Sequence, residues 1–271
     1  MRQIDEAAQT APWFPKFCFE EHTFWDNPDV AEFTKQRARY IAANRLAYQK
    51  KLASLFHLTG LTAGGSFLSV GAGSGLDVLE WSRRKVHATA LEISSDLRTG
   101  LVALYSAMGV DVNTVLGGAE SLAFPNQSFD CVFTENAFEH FAYPIQALME
   151  QYRVLKPGGR ILIVDGNILQ IWRVYQQLFV EPKNTGGRAG GWNWLRLRSQ
   201  PRDVYGSGYL CRDEDWHTPG WWRQRLLDAG FEKIEAATTS QLFHPKRPKW
   251  LHPFLGQCLA VASKPIKLDG P

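Results

Sequence analysis

Residues 66–75 read SFLSVGAGSG, a short apolar run followed by three alternating glycines, Gly71, Gly73 and Gly75. This pattern predicts a buried strand, a tight turn and the start of a helix. Because glycine has no Cβ, the turn can adopt positive φ and let a ligand lie against the backbone, near the free N–H groups of the following helix. The stretch predicts a nucleotide-type cofactor site, and close packing of the strand and helix is the alternative interpretation.

Strand-like runs and helical segments alternate after the glycine turn. This rhythm predicts an α/β fold with a parallel sheet covered on both faces, whose ligands bind at the carboxyl ends of the strands. A predicted helix at 221–229, closed by Gly230, separates the last two predicted strands from the others. The predicted strands are 67–70, 86–91, 111–116, 129–134, 160–164, 231–237 and 257–263.

Composition narrows the class of protein. The chain has 271 residues, is 45% hydrophobic and carries a formal net charge of +3, which argues against nucleic acid as an obligatory partner. No signal-peptide pattern or bilayer-length apolar run occurs, so we expect a cytoplasmic protein. The cysteines fall into no metal-ligand spacing, and we predict no metal site and reduced thiols at Cys18, Cys131, Cys211 and Cys258.

Three segments flank or interrupt the predicted core. The run Asn27-Pro28-Asp29 predicts the start of a long helix towards Phe56, which Gly60 closes. The cations of this helix, Lys51 included, predict a solvated face, and an anionic partner is the alternative. After Asp165 the rhythm breaks for about fifty residues, which is typical of a lid or substrate-binding insertion that begins with a helix over 168–179. The predicted parts are a helical cap (1–65), a cofactor-binding domain (66–264) with the insertion at about 166–218, and a tail (265–271).

Glu92 ends the second predicted strand, about twenty residues beyond the glycine turn. A carboxylate at this place can accept hydrogen bonds from both hydroxyls of a ribose. The alternative is an exposed acid that caps the next helix. A nicotinamide dinucleotide or S-adenosylmethionine could use this turn and this acid, since both carry adenosine.

Motifs further along the chain distinguish these two cofactors. They read GGAESLAFP at 117–125, SFDCVF at 128–133 and VLKPGGRILIV at 154–164. In this order the chain resembles the class I S-adenosylmethionine-dependent methyltransferases, in the small-molecule branch that includes ubiquinone and menaquinone biosynthesis enzymes. The resemblance implies a Rossmann-like fold with a mostly parallel seven-stranded sheet and an antiparallel last strand. It also implies methyl transfer from S-adenosylmethionine to an oxygen, nitrogen or carbon atom of a small or medium organic acceptor.

The resemblance also assigns roles to residues of the predicted site. The family usually has an acid in the first strand and another at the adenine amino group, whereas this chain has Ser69 and Gly118. Glu120 could replace the second acid. The implied cofactor residues are Gly71, Ala72, Gly73 and Gly75 for the methionine part, Glu92 and Ile93 for the ribose and adenine, Gly118, Ala119 and Glu120 for the adenine edge, and Thr134, Glu135 and Asn136 near the sulfonium.

His140, just beyond the fourth predicted strand, is the candidate general base, because histidine titrates near neutral pH and Glu139 could orient it. The alternative is that both residues only pack beneath the cofactor. On the acceptor side, aromatic residues of the insertion suit a ring-bearing or lipid-like molecule, unless they only hold the insertion together. The candidate acceptor residues are Trp192, Trp194, Tyr205 and His217.

Other functions remain as alternatives. The glycine at 118 favours a catalytically inert, methyltransferase-like protein that binds the cofactor or a partner. The run Lys156-Pro157-Gly158-Gly159 argues against a nicotinamide-dependent oxidoreductase, and the absence of an Asn-Pro-Pro-aromatic motif argues against nucleic-acid methylation. Cations beside Trp250, in the run 245–251, could contact anionic lipid, and a solvated loop is the alternative.

Overall fold

The computed structural model describes residues 50–73, 75–93, 98–99, 101–102, 105–106, 108–171 and 217–266. Within them, seven strands form one sheet in the order β3-β2-β1-β4-β5-β7-β6. Strands β1 to β5 pair in parallel, and β7 is antiparallel to both β5 and β6. The predicted Rossmann-like sheet with an antiparallel last strand is confirmed. The strands are β1 (Ser66–Val70), β2 (His87–Glu92), β3 (Val112–Leu116), β4 (Phe129–Glu135), β5 (Leu155–Asp165), β6 (Glu232–Thr238) and β7 (Cys258–Ser263).

Helices cover the sheet where the alternating pattern predicts them. The described part of the first helix, α1, covers 50–59 and ends before Gly60, whose φ is 70°. The predicted helix at 221–229 is confirmed as α4, and Gly230 follows it with a φ of 90°. The bounds of the others are α2 (Leu76–Ser82), α3 (Pro144–Val154), α4 (Pro219–Asp228) and α5 (Thr239–Phe243), with 3₁₀ turns at Phe138–His140 and Lys249–Phe254.

Some predictions fall on residues that the structure does not describe. These are the first part of the N-terminal helix (27–49) and residues 172–179 of the helix predicted to open the insertion. The proposed limits of the cap, insertion and tail therefore stay predictions. Within the described residues, no helix is long and apolar enough to cross a membrane.

The core has one apolar layer on each face of the sheet. Side chains of a strand alternate between faces, so Leu68 packs in the layer that contains Trp222, while Phe67 packs against Trp81 in the other layer. The indole Nε1 of Trp81 donates to the carbonyl of Leu52 in α1 at 3.1 Å. This bond fixes α1 to the face of the sheet on which the Ser69 side chain lies.

Strand β5 begins at Leu155, five residues earlier than predicted, because the run 156–159 forms a bulge within it. The register changes from Phe129 opposite Leu155 to Cys131 opposite Arg160. A Cβ at Gly159 would lie 2.9 Å from the carbonyl oxygen of Lys156. The glycines therefore let the strand continue through a segment that the sequence pattern indicates as a turn.

The topology fixes where a ligand would bind. The chain runs outward from β1 through β2 to β3 and then returns to place β4 on the other side of β1. In open α/β sheets, the crevice at such a reversal, at the carboxyl ends of the strands, is the usual binding site. We call this end of β1, β2, β4 and β5 the carboxyl edge.

Candidate cofactor and active site

The glycine turn at the end of β1 brings the backbone close to neighbouring segments. The N–H groups of Gly71 and Ala72 both donate to the carbonyl of Leu91 at 3.0 Å, which ties the turn to β2. Gly71, Gly73 and Gly75 have φ values of 69°, 48° and 64°. A Cβ at Gly71 would lie 2.7 Å from that of Ala137. The turn thus requires glycine and exposes backbone rather than side chains, as a bound cofactor needs.

Glu92 is built into this turn. One carboxylate oxygen accepts from the N–H of Gly73 at 3.0 Å and the other from the N–H of Ile93 at 2.8 Å. The residue is 4% exposed, so it is not the exposed acid of the alternative interpretation. The carboxylate lies beside the glycine turn, where the ribose of an adenosine cofactor would come within reach.

The adenine side lies beyond β3. Gly118 and Ala119 are buried, and the preceding Gly117 donates its N–H to the carbonyl of Glu92 at 3.0 Å. Burial raises the pKa of Glu120, although this carboxylate accepts from the N–H of Tyr143 at 3.1 Å. This hydrogen bond ties Glu120 to the start of α3. A contact between Glu120 and adenine stays a prediction.

The end of β4 carries a polar network that reaches α1. The Lys51 ammonium pairs with Glu135 and donates to the side-chain oxygen of Gln257 at 3.1 Å. The Gln257 amide in turn bonds the side chain of Asn136, which adopts a φ of 51°. The prediction of a solvated α1 face is wrong for Lys51, whose side chain is only 20% exposed. Its partner Glu135 lies 84 residues away, so sequence spacing gave no sign of the pair.

Thr134, next to this network, is fully buried. Its hydroxyl donates to the side-chain oxygen of Gln151 at 3.3 Å, so it points into the core. A contact between Thr134 and the cofactor would therefore involve its backbone.

Asp77, in the first turn of α2, is a further candidate site residue, which the sequence pattern did not indicate. Its carboxylate accepts from the Ser69 hydroxyl at 3.0 Å and the residue is 5% exposed. Burial raises the pKa of Asp77 to about 7, and the nearby charge of Glu135 adds to the rise. An acid two residues after the last glycine of the turn was the available signal.

His140 lies in the 3₁₀ turn directly after β4, as the sequence predicts. Its Nε2 is 3.5 Å from a carboxylate oxygen of Glu139. The other oxygen of Glu139 accepts from the N–H of Gly166 at 3.2 Å, just past β5. Glu139 is 6% exposed, so its carboxylate is held at the carboxyl edge beside the His140 imidazole.

His217 lies at the same edge. It forms a parallel bridge with Asn167, and its carbonyl accepts from the N–H of Ile168 at 3.2 Å. The imidazole stacks on Trp221 with ring centroids 3.6 Å apart and is largely buried. The other three candidate acceptor residues, Trp192, Trp194 and Tyr205, lie outside the described residues.

The charges around the turn distinguish the two candidate cofactors. Asp77, Glu92 and Glu135 place three carboxyl groups at the ends of β1, β2 and β4 or just beside them. Lys51 offsets the charge of Glu135, and the carboxyl groups of Asp77 and Glu92 that remain disfavour the diphosphate of a nicotinamide dinucleotide at this turn. They suit S-adenosylmethionine, which carries a sulfonium and an ammonium group in addition to one carboxylate.

Comparisons with known proteins agree with this choice. Residues 68–163 match the family model described as "Methyltransferase domain". A ubiquinone/menaquinone biosynthesis C-methyltransferase, UbiE, from Citrobacter koseri is 31% identical over 186 residues, which cover 65% of this chain and 70% of that protein. The chain belongs to the class I S-adenosylmethionine-dependent methyltransferases.

Two further similarities define the extent of the match. UbiE from Hahella chejuensis is 32% identical over 113 residues, so the matched part of this methyltransferase spans only 45% of that relative. A solved S-adenosylmethionine-dependent methyltransferase from Thermotoga maritima aligns with a TM-score of 0.55 at 20% identity, over 86% of this chain and 96% of the other. The structural match supports the fold alone.

The residues of this methyltransferase fit its methyl donor, S-adenosylmethionine. The glycine turn leaves backbone free of side chains, and Glu92 presents a carboxylate beside it. Within the described residues, no group of three His, Cys, Asp or Glu side chains could hold a metal ion. The free cysteines in this part, Cys131 and Cys258, are buried, and burial raises the pKa of both thiols.

Proposed function

We propose that this methyltransferase transfers a methyl group to an oxygen, nitrogen or carbon atom of a small or medium organic acceptor, with an aromatic or lipid-like body. The observation that carries the proposal is the Glu139–His140 pair at the end of β4, beside the predicted sulfonium residues. The name of the UbiE relatives, C-methyltransferases of ubiquinone and menaquinone biosynthesis, favours carbon as the methylated atom.

The chain's own residues have few tasks in this reaction. The cofactor supplies a methyl group already activated by positive sulfur. The glycine turn and Glu92 fix the donor, and the carboxyl edge aligns the acceptor for in-line attack. The acceptor forms its bond to the methyl group as the donor's carbon–sulfur bond breaks, and it loses its proton to Nδ1 of His140, the ring nitrogen that is not turned towards Glu139. The negative charge of Glu139 stabilises the imidazolium that results.

The acceptor pocket lies, in this proposal, between the N-terminal cap (1–65) and the insertion (166–218). The bridge between Asn167 and His217 brings both ends of the insertion to the carboxyl edge beside β5. On the other side, the ion pair between Lys51 and Glu135 joins α1 to the end of β4. Trp192, Trp194, Tyr205 and His217 then supply the aromatic lining.

His140 provides the first mutational test. Replacement of His140 by Ala or Gln is expected to lower kcat about 100-fold or more, because proton transfer loses its base, while the Kd for S-adenosylmethionine changes less than threefold. Turnover and calorimetric binding are measured on the same preparations. The exposed His244→Ala serves as the matched control and should keep full activity. Unaltered turnover in both His140 variants would remove His140 as the base.

A product assay tests the function itself. The protein is incubated with methyl-labelled S-adenosylmethionine and acceptors of three kinds: quinol-type rings, amines and hydroxylated aromatics. Label should enter one kind, and mass spectrometry then identifies the methylated atom. Cofactor binding without transfer to any acceptor would instead favour the alternative, a catalytically inert cofactor- or partner-binding protein.

We also propose that the protein binds its acceptor in the cytoplasm and has no nucleic acid as a partner.

We propose in addition that the segment 245–251 contacts anionic lipid surfaces. Residues 244–250 are exposed, and Trp250 is 70% exposed beside three cations. No Asp or Glu occurs from 236 to 268, so no neighbouring acid in the sequence neutralises them. An exposed indole flanked by cations suits the interface of an anionic bilayer.

Liposome co-sedimentation tests this contact. We expect the protein to pellet with anionic vesicles at low salt and less at physiological salt, because surface attraction is screened. A Lys246→Glu, Arg247→Glu double variant should stay in solution, and the control Lys233→Glu, on β6, should pellet like the parent protein. The absence of binding at either salt concentration would exclude the lipid contact.

A further inference from the structure

The position of Asp77 relative to the glycine turn is the starting point. Ser69 lies in β1 two residues before the turn, and Asp77 lies in α2 two residues after it. The Ser69 hydroxyl donates to the Asp77 carboxylate at 3.0 Å, so the pair joins the two sides of the turn. The carboxyl group that the family usually places in the first strand is thus supplied here from α2.

The surroundings of Asp77 favour a cation. Its carboxylate accepts hydrogen bonds from the Ser69 hydroxyl and from the backbone N–H groups of Asp77 and Val78. The nearby charged or titratable groups are the Glu135 carboxylate, which raises the pKa of Asp77, and the Tyr105 phenol, whose pKa Asp77 and Glu92 raise. A buried carboxylate beside a second carboxylate is costly unless positive charge compensates both. The Lys51 ammonium pairs with Glu135 and donates to Gln257, so it compensates the charge of Glu135.

We propose that Asp77, held by Ser69 and assisted by Glu135, binds the α-ammonium group of the methionine part of S-adenosylmethionine. The proposal rests on the cofactor assignment given above. An ammonium group offers three N–H donors to carboxylate oxygens, whereas the sulfonium offers none, so the ammonium is the better match. Asp77 thereby becomes a cofactor-binding residue in addition to those that the sequence indicated.

Binding should release a proton. Because the pKa of Asp77 is raised to about 7, its carboxyl group is largely protonated at pH 6. The ammonium group binds the ionised form, so cofactor binding at pH 6 displaces the proton into the buffer. The affinity should therefore rise between pH 5.5 and pH 7.5. Asp77→Asn cannot ionise and should lose this dependence, whereas titration of Glu135, Glu92 or Tyr105 would persist in the variant.

Calorimetry on the full chain tests the proposal with two ligands: S-adenosylmethionine and its analogue without the α-amino group. Asp77→Asn is expected to weaken the first about 10- to 100-fold, as for a lost charge-assisted bond, and the second less than threefold. In two buffers of different ionisation enthalpy at pH 6, the wild type should release close to one proton and Asp77→Asn close to none.

A double variant that exchanges residues 69 and 77 distinguishes the loss of a binding group from damage to the local structure. The Ser69→Asp, Asp77→Ser double variant returns the carboxyl group to the strand and should bind S-adenosylmethionine within about threefold of the wild type, while the single Asp77→Ser binds weakly. Circular dichroism confirms that each variant folds. The proposal would be overturned if Asp77→Asn lost the same affinity for both ligands, or if the wild type and Asp77→Asn released the same number of protons. If the wild type itself fails to bind S-adenosylmethionine, the cofactor assignment fails instead.

Discussion

Glu92→Ala is expected to lower the affinity for S-adenosylmethionine by about 100-fold or more. The carboxylate would accept hydrogen bonds from two ribose hydroxyls, and each charge-assisted bond contributes about 1.5–3 kcal/mol. Its removal also leaves the N–H of Gly73, which now donates to Glu92 at 3.0 Å, without that acceptor. Glu92→Gln keeps one acceptor oxygen and should bind with intermediate affinity. Isothermal titration calorimetry gives the three dissociation constants.

A cofactor analogue without ribose hydroxyls separates the two contributions to this loss. If Glu92 binds the ribose, Glu92→Ala should weaken the analogue much less than S-adenosylmethionine, and the loss that remains with the analogue measures the damage to the turn. Glu232→Ala, at an exposed position of β6, is the control and should match the wild type for both ligands. Affinity of Glu92→Ala for S-adenosylmethionine within threefold of the wild type would contradict the assigned role.

Gly75→Ala is expected to damage both the fold and the cofactor site. A Cβ there would lie 2.2 Å from Leu101 Cδ2 and 2.5 Å from the Tyr105 hydroxyl, and both side chains are buried. We expect destabilisation of about 1 kcal/mol from the left-handed backbone and about 1–3 kcal/mol from the forced repacking. Chemical denaturation measures the free energy of unfolding, and calorimetry measures the loss of affinity.

Gly109 offers a matched control for the same substitution. Its φ of 62° is close to the 64° of Gly75, yet nothing lies within 4 Å of the added Cβ. Gly109→Ala should therefore show only the backbone cost of about 1 kcal/mol and unchanged cofactor affinity. Equal effects of the two substitutions would show that strain alone, rather than a crowded turn, explains the loss at Gly75.

Local patterns predicted most of the fold. The run 66–75 predicted β1, the turn and α2, because apolar alternation and glycine act through neighbouring residues. The start of β5 was missed for a related reason: Pro157 and the two glycines after it normally end a strand. Here Asp130 and Lys156 carbonyls crowd Gly159, and the strand continues through a bulge.

The candidate site was predictable only where its residues lie within one motif. Glu92 and His140 stand at strand ends that sequence rhythm locates, and the structure places both at the carboxyl edge. The Lys51–Glu135 pair joins segments far apart in the chain, so only the packing of α1 on the sheet reveals it. Asp77 was missed because an acid early in a helix usually indicates a favourable interaction with the helix dipole, not a buried binding group.

The most direct measurement is calorimetric titration of the full chain with S-adenosylmethionine, in parallel with reduced nicotinamide dinucleotide. We expect one site per chain for S-adenosylmethionine, with weaker binding in Glu92→Ala and Gly75→Ala, and no heat with the dinucleotide. Binding of the dinucleotide, or no binding of S-adenosylmethionine, would contradict the assignment of the carboxyl edge as a methyl-donor site.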